Sequence, residues 1–384
     1  MNIAIDIRPL MDKQLTGVGE YTLNLLSNLF TKDSQNQYYL FYNSFSKIEV
    51  PQFNFPNVQY CQFKIPNKLL TLSLLLFKNP KLDKLIFKKY QTRMDLFFFP
   101  NICFQKTNCP YIITAHDLSY EIFPQFLTWK RKLWHKLINP KKVFQNAKQI
   151  MAVSNNTKQD LINKYQIASD KIQVIYSGIK QNFKVLKAAD TKLKKIKLKY
   201  KLPQKFILSL ATQEPRKNLT GLIQAFNQFS KNNPGYSLVI AGATGWKKPI
   251  NQSIHAAKDG TNQRINFIGF IPEKDKRYLY NLASMFVFPS FYEGFGFPPI
   301  EAIACGCPVI TSNNSSLPEL CQDAAILIDA HNTNDITKAM QILTNPKTIE
   351  YYKQKGIEQA QVFNWQNTAQ KLRELLIDKL SKKD

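Results

Sequence analysis

The chain has 384 residues, enough for about two domains of ordinary size, and its apolar content of 44% is typical of a protein that buries a full core. No apolar run approaches the roughly 20 residues that a membrane-spanning helix needs, and the longest, residues 69–77, contains Thr71 and Ser73. The charged Asp6 stands where a signal peptide needs its apolar segment. The sequence therefore predicts a cytoplasmic protein.

The net charge of +25 comes mainly from lysine, since the chain contains only seven arginines. Nucleic-acid recognition relies on arginine for base edges and stacking, so this composition argues against a nucleic-acid partner. Heavy use of lysine, with abundant asparagine and isoleucine, could instead reflect an AT-rich coding sequence, and the excess that this leaves fits an anionic membrane surface.

Metal and redox chemistry have little support in the sequence. The six cysteines form no Cys-x-x-Cys pair, and the four histidines are far apart. No Asp-x-Asp pair, the usual short metal–diphosphate motif of nucleotide-sugar enzymes, occurs. We therefore predict reduced thiols, no metal site and no cofactor.

Apolar runs that predict buried strands alternate with helical patterns along the whole chain. The predicted strands are residues 2–7, 38–42, 95–99, 111–115, 149–153, 172–176, 206–211, 237–241, 265–269, 285–289, 309–310 and 325–328. This alternation predicts mostly parallel sheets with helices on both faces.

The segment 183–205 interrupts the alternation, because it holds nine lysines and few large apolar residues. We interpret it as an interdomain linker that contains a solvated basic helix. The predicted domains are residues 1–182 and residues 183–363. A last amphipathic helix, within residues 364–384, is expected to pack back on the first domain.

Three further segments have helical patterns, namely residues 69–77, which are apolar and flanked by lysines, and the basic segments 81–90 and 129–136. We favour amphipathic helices that pack on a sheet, since most such helices face a core. The alternative is a face that rests on a membrane, which would make the protein peripheral on its inner surface.

In the first half, two short segments carry candidate functional residues. Gly17 and Gly19 lie between the first strand and a helix, the arrangement that binds anions at a helix start. His116 and Asp117 follow the strand 111–115, and the carboxyl ends of strands are where open α/β sheets bind ligands. A lone histidine is more often structural than catalytic.

The second half holds the strongest signal, the stretch Glu293-Gly-Phe-Gly-Phe-Pro-Pro-Ile-Glu301. It predicts a strand, a glycine-rich loop and a helix that starts near Pro298 or Pro299. Glu301 would then lie in the first helical turn, and Glu293 on the loop. Such a loop suits a sugar phosphate, although Glu293 could also be a solvated loop residue.

Four segments together resemble the retaining glycosyltransferases of family 4, which have the GT-B fold. They are residues 16–21, Thr114-Ala-His-Asp-Leu118, Glu214-Pro-Arg-Lys-Asn218 and the Glu293–Glu301 stretch. The last two are the specific ones. The resemblance runs along almost the whole chain and implies an α/β protein with two Rossmann-like domains facing across a cleft.

The resemblance also implies a role for each candidate residue. Arg216 and Lys217 would bind the donor diphosphate, Glu293 the transferred sugar, and Glu301 the ribose hydroxyls. The remaining roles fall to His116 near the reacting carbon, to Gly294, Phe295, Gly296 and Phe297 around the sugar, to Gly269 and Phe270 at the base, and to Gly17 and Gly19 at the diphosphate.

The implied reaction moves a hexosyl unit from a nucleotide diphosphate sugar to an acceptor hydroxyl, with retention and without a metal. Similarity to bacterial mannosyltransferases of polysaccharide synthesis favours GDP-mannose slightly over a UDP-hexose, and a saccharide or lipid-linked glycan as acceptor. Two alternatives stay open here: a sugar-nucleotide epimerase on the same fold and a basic nucleic-acid-binding protein.

Overall fold

The computed structural model describes residues 1–12, 14–15, 17–46, 48–77, 79–243, 245 and 264–381. The contacts among these residues divide the chain into two compact units. The first unit comprises Met1–Ile122, Trp129–Gly178 and Asn364–Asp384, and the second comprises Phe123–Thr128 and Ile179–Phe363.

The first unit is built on a seven-stranded parallel sheet. Its strands are β1 (Asn2–Asp6), β2 (Gln37–Asn43), β3 (Val58–Phe63), β4 (Leu96–Phe99), β5 (Tyr111–Ala115), β6 (Gln149–Ala152) and β7 (Ile172–Val174), in the order β3-β2-β1-β4-β5-β6-β7. Its helices are α1 (Gly17–Lys32), α2 (Asn67–Leu76), α3 (Leu82–Tyr90), α4 (Ser119–Ile122), α5 (Trp129–Ile138), α6 (Pro140–Asn146), α7 (Asn155–Tyr165) and the C-terminal α15 (Trp365–Ser381).

The second unit has a six-stranded sheet that is also parallel throughout. Its strands are β8 (Lys205–Leu210), β9 (Tyr236–Ala241), β10 (Ile265–Gly269), β11 (Met285–Phe288), β12 (Val309–Ser312) and β13 (Ala325–Ile328), in the order β10-β9-β8-β11-β12-β13. Its helices are α8 (Thr191–Lys199), α9 (Leu219–Asn232), α10 (Glu273–Leu282), α11 (Phe297–Ala304), α12 (Leu317–Cys321), α13 (Thr333–Ile342) and α14 (Pro346–Ala360).

The central strands are continuous apolar runs because helices cover both faces of each sheet. All four residues of β4 are buried, and so are all four of β11. Within β4 the rings of Phe97 and Phe99 stack with centroids 4.4 Å apart, which fills one face of the sheet. Such strands can be predicted from their apolar runs in the sequence alone.

In both sheets the order of the strands reverses next to the first strand, between β1 and β4 and between β8 and β11. Open α/β sheets bind their ligands outside the carboxyl ends of the strands at this switch point. The loops that follow β8 and β11 therefore mark the expected binding site of the second unit. They contain the two specific motifs of the sequence.

Residues 183–205 lie in the second unit, within the predicted second domain, but their basic helix is packed and not solvated, so the linker interpretation is wrong. Helix α8 buries Leu193 and Ile196, and the Lys199 ammonium lies 2.6 Å from the Asp275 carboxylate on α10. The Tyr200 hydroxyl donates to the same carboxylate at 2.7 Å. Lysines cover the outer side of a packed helix, a pattern that composition cannot distinguish from a solvated segment.

Two other segments differ from the expectations. Strand β3 was not predicted, because apolar residues do not alternate regularly over Val58–Phe63. Residues Phe123–Thr128 fall in the second unit, where the Phe123 ring lies 5.8 Å from that of Tyr292. The Phe126 ring stacks on that of Phe291 at 6.0 Å.

Helix α15 packs on the first unit. The Thr368 hydroxyl donates to the Tyr176 carbonyl at 2.8 Å, and the Arg373 guanidinium lies 3.5 Å from the buried Asp33 carboxylate. The Trp365 ring contacts that of Tyr21 on α1. Among the described residues, no helix is both long and apolar enough to cross a membrane.

Candidate active site

The loops after β8 and β11 bring two cations and two carboxylates together. Arg216 and Lys217 lie in a short 3-10 turn, Pro215–Lys217, that joins β8 to α9. Asn218 ends this turn with φ of 52° and caps α9, since its side chain accepts a hydrogen bond from the Gly221 amide. The turn is thus fixed at its end by the helix that follows.

Glu293 lies between these two cations. The Lys217 ammonium is 2.6 Å from Glu293 Oε1, and Arg216 Nη1 is 2.8 Å from Glu293 Oε2. The Ser290 hydroxyl lies 2.5 Å from Oε1. Arg216 also donates from Nη2 to Glu214 at 2.7 Å. All of these side chains are largely buried, so the bonds form in a region of low dielectric.

Burial and charge act on this network in opposite directions. Burial alone would raise the pKa of Glu293, but the charges of Arg216 and Lys217, with hydrogen bonds from Lys217 and Ser290, lower it to about 2. Burial also lowers the pKa of Lys217, and the neighbouring Arg216 charge lowers it further. Glu293 is therefore ionised at neutral pH, and it supports the charge of Lys217.

The backbone of the Glu293 loop is held by two serines. Glu293 donates its amide to the Ser315 hydroxyl, and the Ser316 hydroxyl lies 3.0 Å from the carbonyls of both Glu293 and Phe295. Gly296 has φ of 94°, and a Cβ there would lie 2.7 Å from the Leu317 side chain. Only glycine meets both conditions, so Gly296 sets the path of the loop.

Helix α11 starts at Phe297, one or two residues before the predicted start at Pro298 or Pro299, because Gly296 in the left-handed region serves as its N-cap. Glu301 consequently lies in the second turn, and the prediction that it occupies the first turn is wrong. Its carboxylate is buried, and Oε2 accepts a hydrogen bond of 2.9 Å from the Tyr280 hydroxyl on α10. Burial raises the pKa of Glu301 above its ordinary value.

Glu301 and Glu293 thus have different partners in the second unit. The hydrogen-bond partners of Glu293 are cations and a serine, whereas Glu301 accepts from a tyrosine.

Gly269 ends β10 with φ of 71°, and Phe270 follows with 52% of its surface exposed. An exposed aromatic ring at the carboxyl end of a strand can stack on a base.

In the first unit, Gly17 and Gly19 lie inside α1, whose first residue is Gly17. The sequence had predicted a loop here, and Thr16 of that loop lies outside the described residues. A Cβ at Gly19 would lie 3.0 Å from the Pro9 carbonyl, so a larger side chain would push the start of α1 away from the chain that leaves β1. Gly17 has open space around it.

His116 follows β5 directly, as the strand prediction requires. Its Nε2 lies 2.8 Å from the Pro100 carbonyl, and its ring meets that of Tyr21 edge-on at 4.6 Å. Since a carbonyl only accepts, the neutral ring carries its proton on Nε2 and leaves Nδ1 as an acceptor. Burial lowers the pKa of His116, which favours this neutral form.

The switch point of the first unit holds a cluster that sequence reasoning missed. Arg8 Nη2 lies 2.7 Å from the buried Asp6 carboxylate, 3.1 Å from Cys103 Sγ and 3.2 Å from the Phe104 carbonyl. Burial raises the pKa of the Cys103 thiol, which favours its protonated form. The Asp-x-Arg spacing after β1 could have signalled the pair, whereas Cys103 is far away in sequence.

Tyr280 and Ser290 were missed as well. Ser290 stands two residues after β11 and could have been found from its position. Tyr280 is part of the apolar face of α10 in sequence, where nothing distinguishes it from a core residue. Within the described ranges no group of three or more His, Cys, Asp or Glu side chains is placed to hold a metal ion.

Two parallel sheets of Rossmann winding, with a buried cationic site at the switch point of the second, define a protein of the GT-B fold. Comparison with solved structures supports this fold: sucrose-phosphate synthase from Thermosynechococcus elongatus superposes with a TM-score of 0.77, at 19% identity and full coverage of both chains. The predicted fold class is confirmed.

Sequence comparison identifies the family. Residues 16–183 match the family described as Glycosyltransferase Family 4, and residues 190–359 match Glycosyl transferases group 1. The two matches account for most of the chain, so the protein belongs to these glycosyltransferases.

Two relatives from Escherichia coli are similar to this chain. The O-antigen chain mannosyltransferase B is 28% identical over 92% of this chain and 93% of its own length. The serotype-specific mannosyltransferase WbdA is 35% identical over 59% of this chain, which corresponds to 28% of the longer relative.

Proposed function

We propose that this glycosyltransferase moves a mannosyl unit from a nucleotide diphosphate sugar to a hydroxyl of a glycan acceptor. The observation that carries the proposal is the buried network of Arg216, Lys217 and Glu293 at the switch point of the second sheet. The mannosyl unit is inferred from the two relatives, both of which are named as mannosyltransferases. For the same reason GDP-mannose is the expected donor, ahead of a UDP-hexose.

Donor binding exchanges one anion for another at the two cations. The network contains two positive and two negative side chains, Arg216 and Lys217 against Glu214 and Glu293. A diphosphate takes the place of the Glu293 carboxylate beside Lys217 and Arg216, since planar guanidinium and ammonium groups both suit phosphate oxygens. The released Glu293 then accepts hydrogen bonds from the sugar hydroxyls.

The other predicted residues complete the donor site in this proposal. Glu301, held by Tyr280, accepts from the ribose hydroxyls, and the exposed ring of Phe270 stacks on the base beside Gly269. The amides of the loop Gly294–Phe297 bind the sugar. Gly17 and Gly19, at the start of α1 in the first unit, supply amides for the diphosphate.

The reaction proceeds with retention and without a metal ion. As the bond to the sugar breaks, negative charge develops on the leaving nucleoside diphosphate, and the fixed cations Arg216 and Lys217 stabilise it. No protein nucleophile is invoked: a donor phosphate oxygen takes the proton of the acceptor hydroxyl on the face that the diphosphate leaves. His116 lies near the reacting carbon, where its neutral ring is a hydrogen-bond partner.

The acceptor is a saccharide or a lipid-linked glycan, and the enzyme works as a peripheral protein at the inner membrane surface. The O-antigen relative supports a polysaccharide acceptor. Neither an epimerase nor a nucleic-acid-binding protein is found among the relatives described above, and the cationic residues of the site are buried rather than displayed on a surface.

The decisive experiment measures mannosyl transfer from GDP-mannose to an oligomannoside acceptor, with the anomeric configuration of the product read by NMR. The parent is compared with Lys217→Ala and with a control, Lys192→Ala, at the surface of α8. Loss of transfer in the first variant alone supports the assignment. Full transfer by Lys217→Ala, or an inverted product, would refute the proposed site or the proposed stereochemistry.

The choice of donor and the need for a metal are tested separately. A thermal-shift comparison of GDP, UDP and their sugars identifies the base, because a ligand that binds the folded state raises the melting temperature. Transfer that persists after treatment with EDTA supports metal independence. Transfer abolished by EDTA and restored by Mg²⁺ would contradict it.

A further inference from the structure

Two helices of the first unit leave apolar faces uncovered. Helix α2 buries Leu70 and Leu74, yet it exposes a second stripe at helical spacing. This stripe consists of Leu69, Leu72 and Leu76 and continues into Phe77, with exposed fractions of 59%, 51%, 65% and 70%. Such a row of large apolar side chains on a folded protein marks an interaction surface.

Helix α5 repeats this arrangement with aromatic residues. Eight of its ten residues are exposed. Trp129, Leu133 and Leu137 recur every four residues on one side, and Trp134 lies beside them with its ring against Phe104. The exposed Lys130, Arg131, Lys132 and Lys136 occupy the rest of the helix.

The two helices belong to one surface, because they flank the same cavity. This cavity has a volume of about 620 Å³ and lies between Leu74 and Leu75 of α2 and Leu137 and Ile138 of α5. Its remaining lining is mixed, with most of the polar side chains, and comes mainly from the loop between β4 and β5 and from α6. Lys106 and Lys142 are among these residues. We call the exposed apolar residues of α2 and α5, with Phe77, the α2–α5 surface.

The chain segments that form the α2–α5 surface are predominantly basic. The sequence has no Asp or Glu between Glu49 and Asp83, and none between Glu121 and Asp160. Residues 129–148 contain seven lysines and arginines. One acidic side chain does reach the cavity wall, since the Asp83 carboxylate accepts a hydrogen bond from the amide of the lining residue Asn108.

A second copy of this chain is a poor occupant for such a surface, because like charges would face each other across the interface. Nucleic acid is also a poorer fit, since five of the eight apolar residues of the surface are leucines, which offer it neither hydrogen bonds nor stacking. Leucine and tryptophan flanked by lysine are the composition of helices that lie in a membrane interface. Anionic lipid head groups complement the lysines.

We propose that the α2–α5 surface docks on an anionic phospholipid bilayer, with the cavity between the helices admitting the head group of one anionic lipid. The apolar side chains enter the acyl region and the lysines contact the head groups. The cavity volume lies within the range of small-molecule sites, roughly 300–1,000 Å³. The inference identifies which face of the enzyme would contact the membrane. Only the biological purpose of this contact rests on the proposed function.

Vesicle binding by the full-length protein tests the docking surface. Vesicles of phosphatidylcholine, with and without phosphatidylglycerol, are sedimented with the parent and with Leu69→Ser/Leu72→Ser/Leu76→Ser. Each half-exposed leucine is expected to contribute a factor of about five, so the triple variant binds anionic vesicles about 100-fold more weakly. A matched control, Leu198→Ser/Val362→Ser, removes exposed apolar residues of the second unit and should bind like the parent.

Charge is tested with a second matched pair. Lys130→Gln/Lys132→Gln/Lys136→Gln on α5 removes three charges, each worth a factor of about five near an anionic surface. Lys192→Gln/Lys194→Gln/Lys195→Gln removes three from α8 and should bind like the parent. Equal losses in the two variants would mean that net charge alone drives binding, and the proposal would fail.

Tryptophan fluorescence locates the contact directly. Lipids brominated on their acyl chains should quench the parent. The variant Trp129→Phe/Trp134→Phe keeps aromatic residues and should still bind, but lose this quenching. Quenching that persists in this variant would show that the membrane contact lies elsewhere on the protein, and it would overturn the proposal. Circular dichroism, and transfer to a soluble acceptor, verify that each variant is folded.

The head-group site is tested with dihexanoyl phosphatidylglycerol below its micellar concentration. It should raise the melting temperature of the parent and of Lys141→Glu, which changes an exposed residue outside the cavity lining, but not of Lys142→Glu, which changes a lining residue. An equal shift by inorganic phosphate would assign the cavity to a free anion instead. No donor or acceptor is present in these assays, so vesicle binding can fail without affecting the transferase assignment.

Discussion

Replacement of Glu293 by Gln should separate donor binding from catalysis. The change keeps the shape of the side chain and removes the charge that faces Lys217 at 2.6 Å and Arg216 at 2.8 Å. If the diphosphate displaces this carboxylate, the variant no longer has to break two ion pairs when a nucleotide binds. We therefore expect the variant to bind GDP more tightly and to transfer sugar more slowly.

The magnitudes follow from the two ion pairs. Close buried charge pairs couple by roughly 1.5–7 kcal/mol, and burial offsets much of this in the folded protein. A net relief of about 1.4 kcal/mol, at the low end of the range, corresponds to a tenfold fall in Kd for GDP. Loss of one transition-state contact to the sugar lowers kcat by roughly 100- to 1,000-fold.

The assay combines calorimetric titration of GDP and UDP with steady-state transfer. Ser315→Ala is the control, because it removes a hydroxyl that holds the loop backbone and leaves the charges in place. Opposite changes in Kd and kcat for Glu293→Gln would support the exchange of anions. A GDP affinity that falls together with kcat would refute it, because Glu293 would then be holding the cations in their binding positions.

Three further predictions follow from single contacts. Tyr280→Phe removes the hydrogen bond to the Glu301 carboxylate. We expect KM for the donor to rise about fivefold with kcat little changed, since a protein hydrogen bond contributes about 1 kcal/mol net. Equal kinetics would separate Tyr280 from donor binding. Gly296→Ala should lower the free energy of unfolding by roughly 1–3 kcal/mol, because alanine strains the left-handed backbone and its Cβ meets Leu317. Urea denaturation measures this loss, and an unchanged midpoint would contradict it. The depressed pKa of Glu293 contributes stability that is fully present above its ordinary pKa of 4.5 and is lost as pH falls towards 2. On acidification the free energy of unfolding should therefore fall by about 3 kcal/mol more in the parent than in Glu293→Gln. Parallel curves of unfolding free energy against pH would exclude Glu293 as the source.

Local pattern was enough to predict most of the sheet architecture and the motif loops. Strands 111–115, 265–269 and 325–328 have the predicted bounds, because continuous apolar runs bounded by polar residues leave little choice of register. The short loop at Glu214–Asn218 and the loop at Glu293 are found for the same reason: each lies between a buried strand and a helix. Parallel winding then brings the two loops together without further information.

Contacts between distant segments could not be predicted. Residues Phe123 and Phe126 look like part of a connection within the first domain, but their rings pack on those of Tyr292 and Phe291, which are far away in sequence. The start of α11 was misplaced for a subtler reason. Two prolines suggested the first helical turn, but the left-handed Gly296 before them allowed the helix to begin at Phe297.

Both switch points contain a carboxylate paired with an arginine, but the two carboxylates differ in how their backbone is held. At the first, Arg8 and its partner Asp6 are two residues apart, and the backbone of Asp6 is fixed by its place in β1. At the second, Glu293 lies on a loop between β11 and the left-handed Gly296, and its partners lie on another loop. The first pair is thus a permanent part of the fold. The second can exchange its carboxylate for a phosphate, which is the property that a donor site requires.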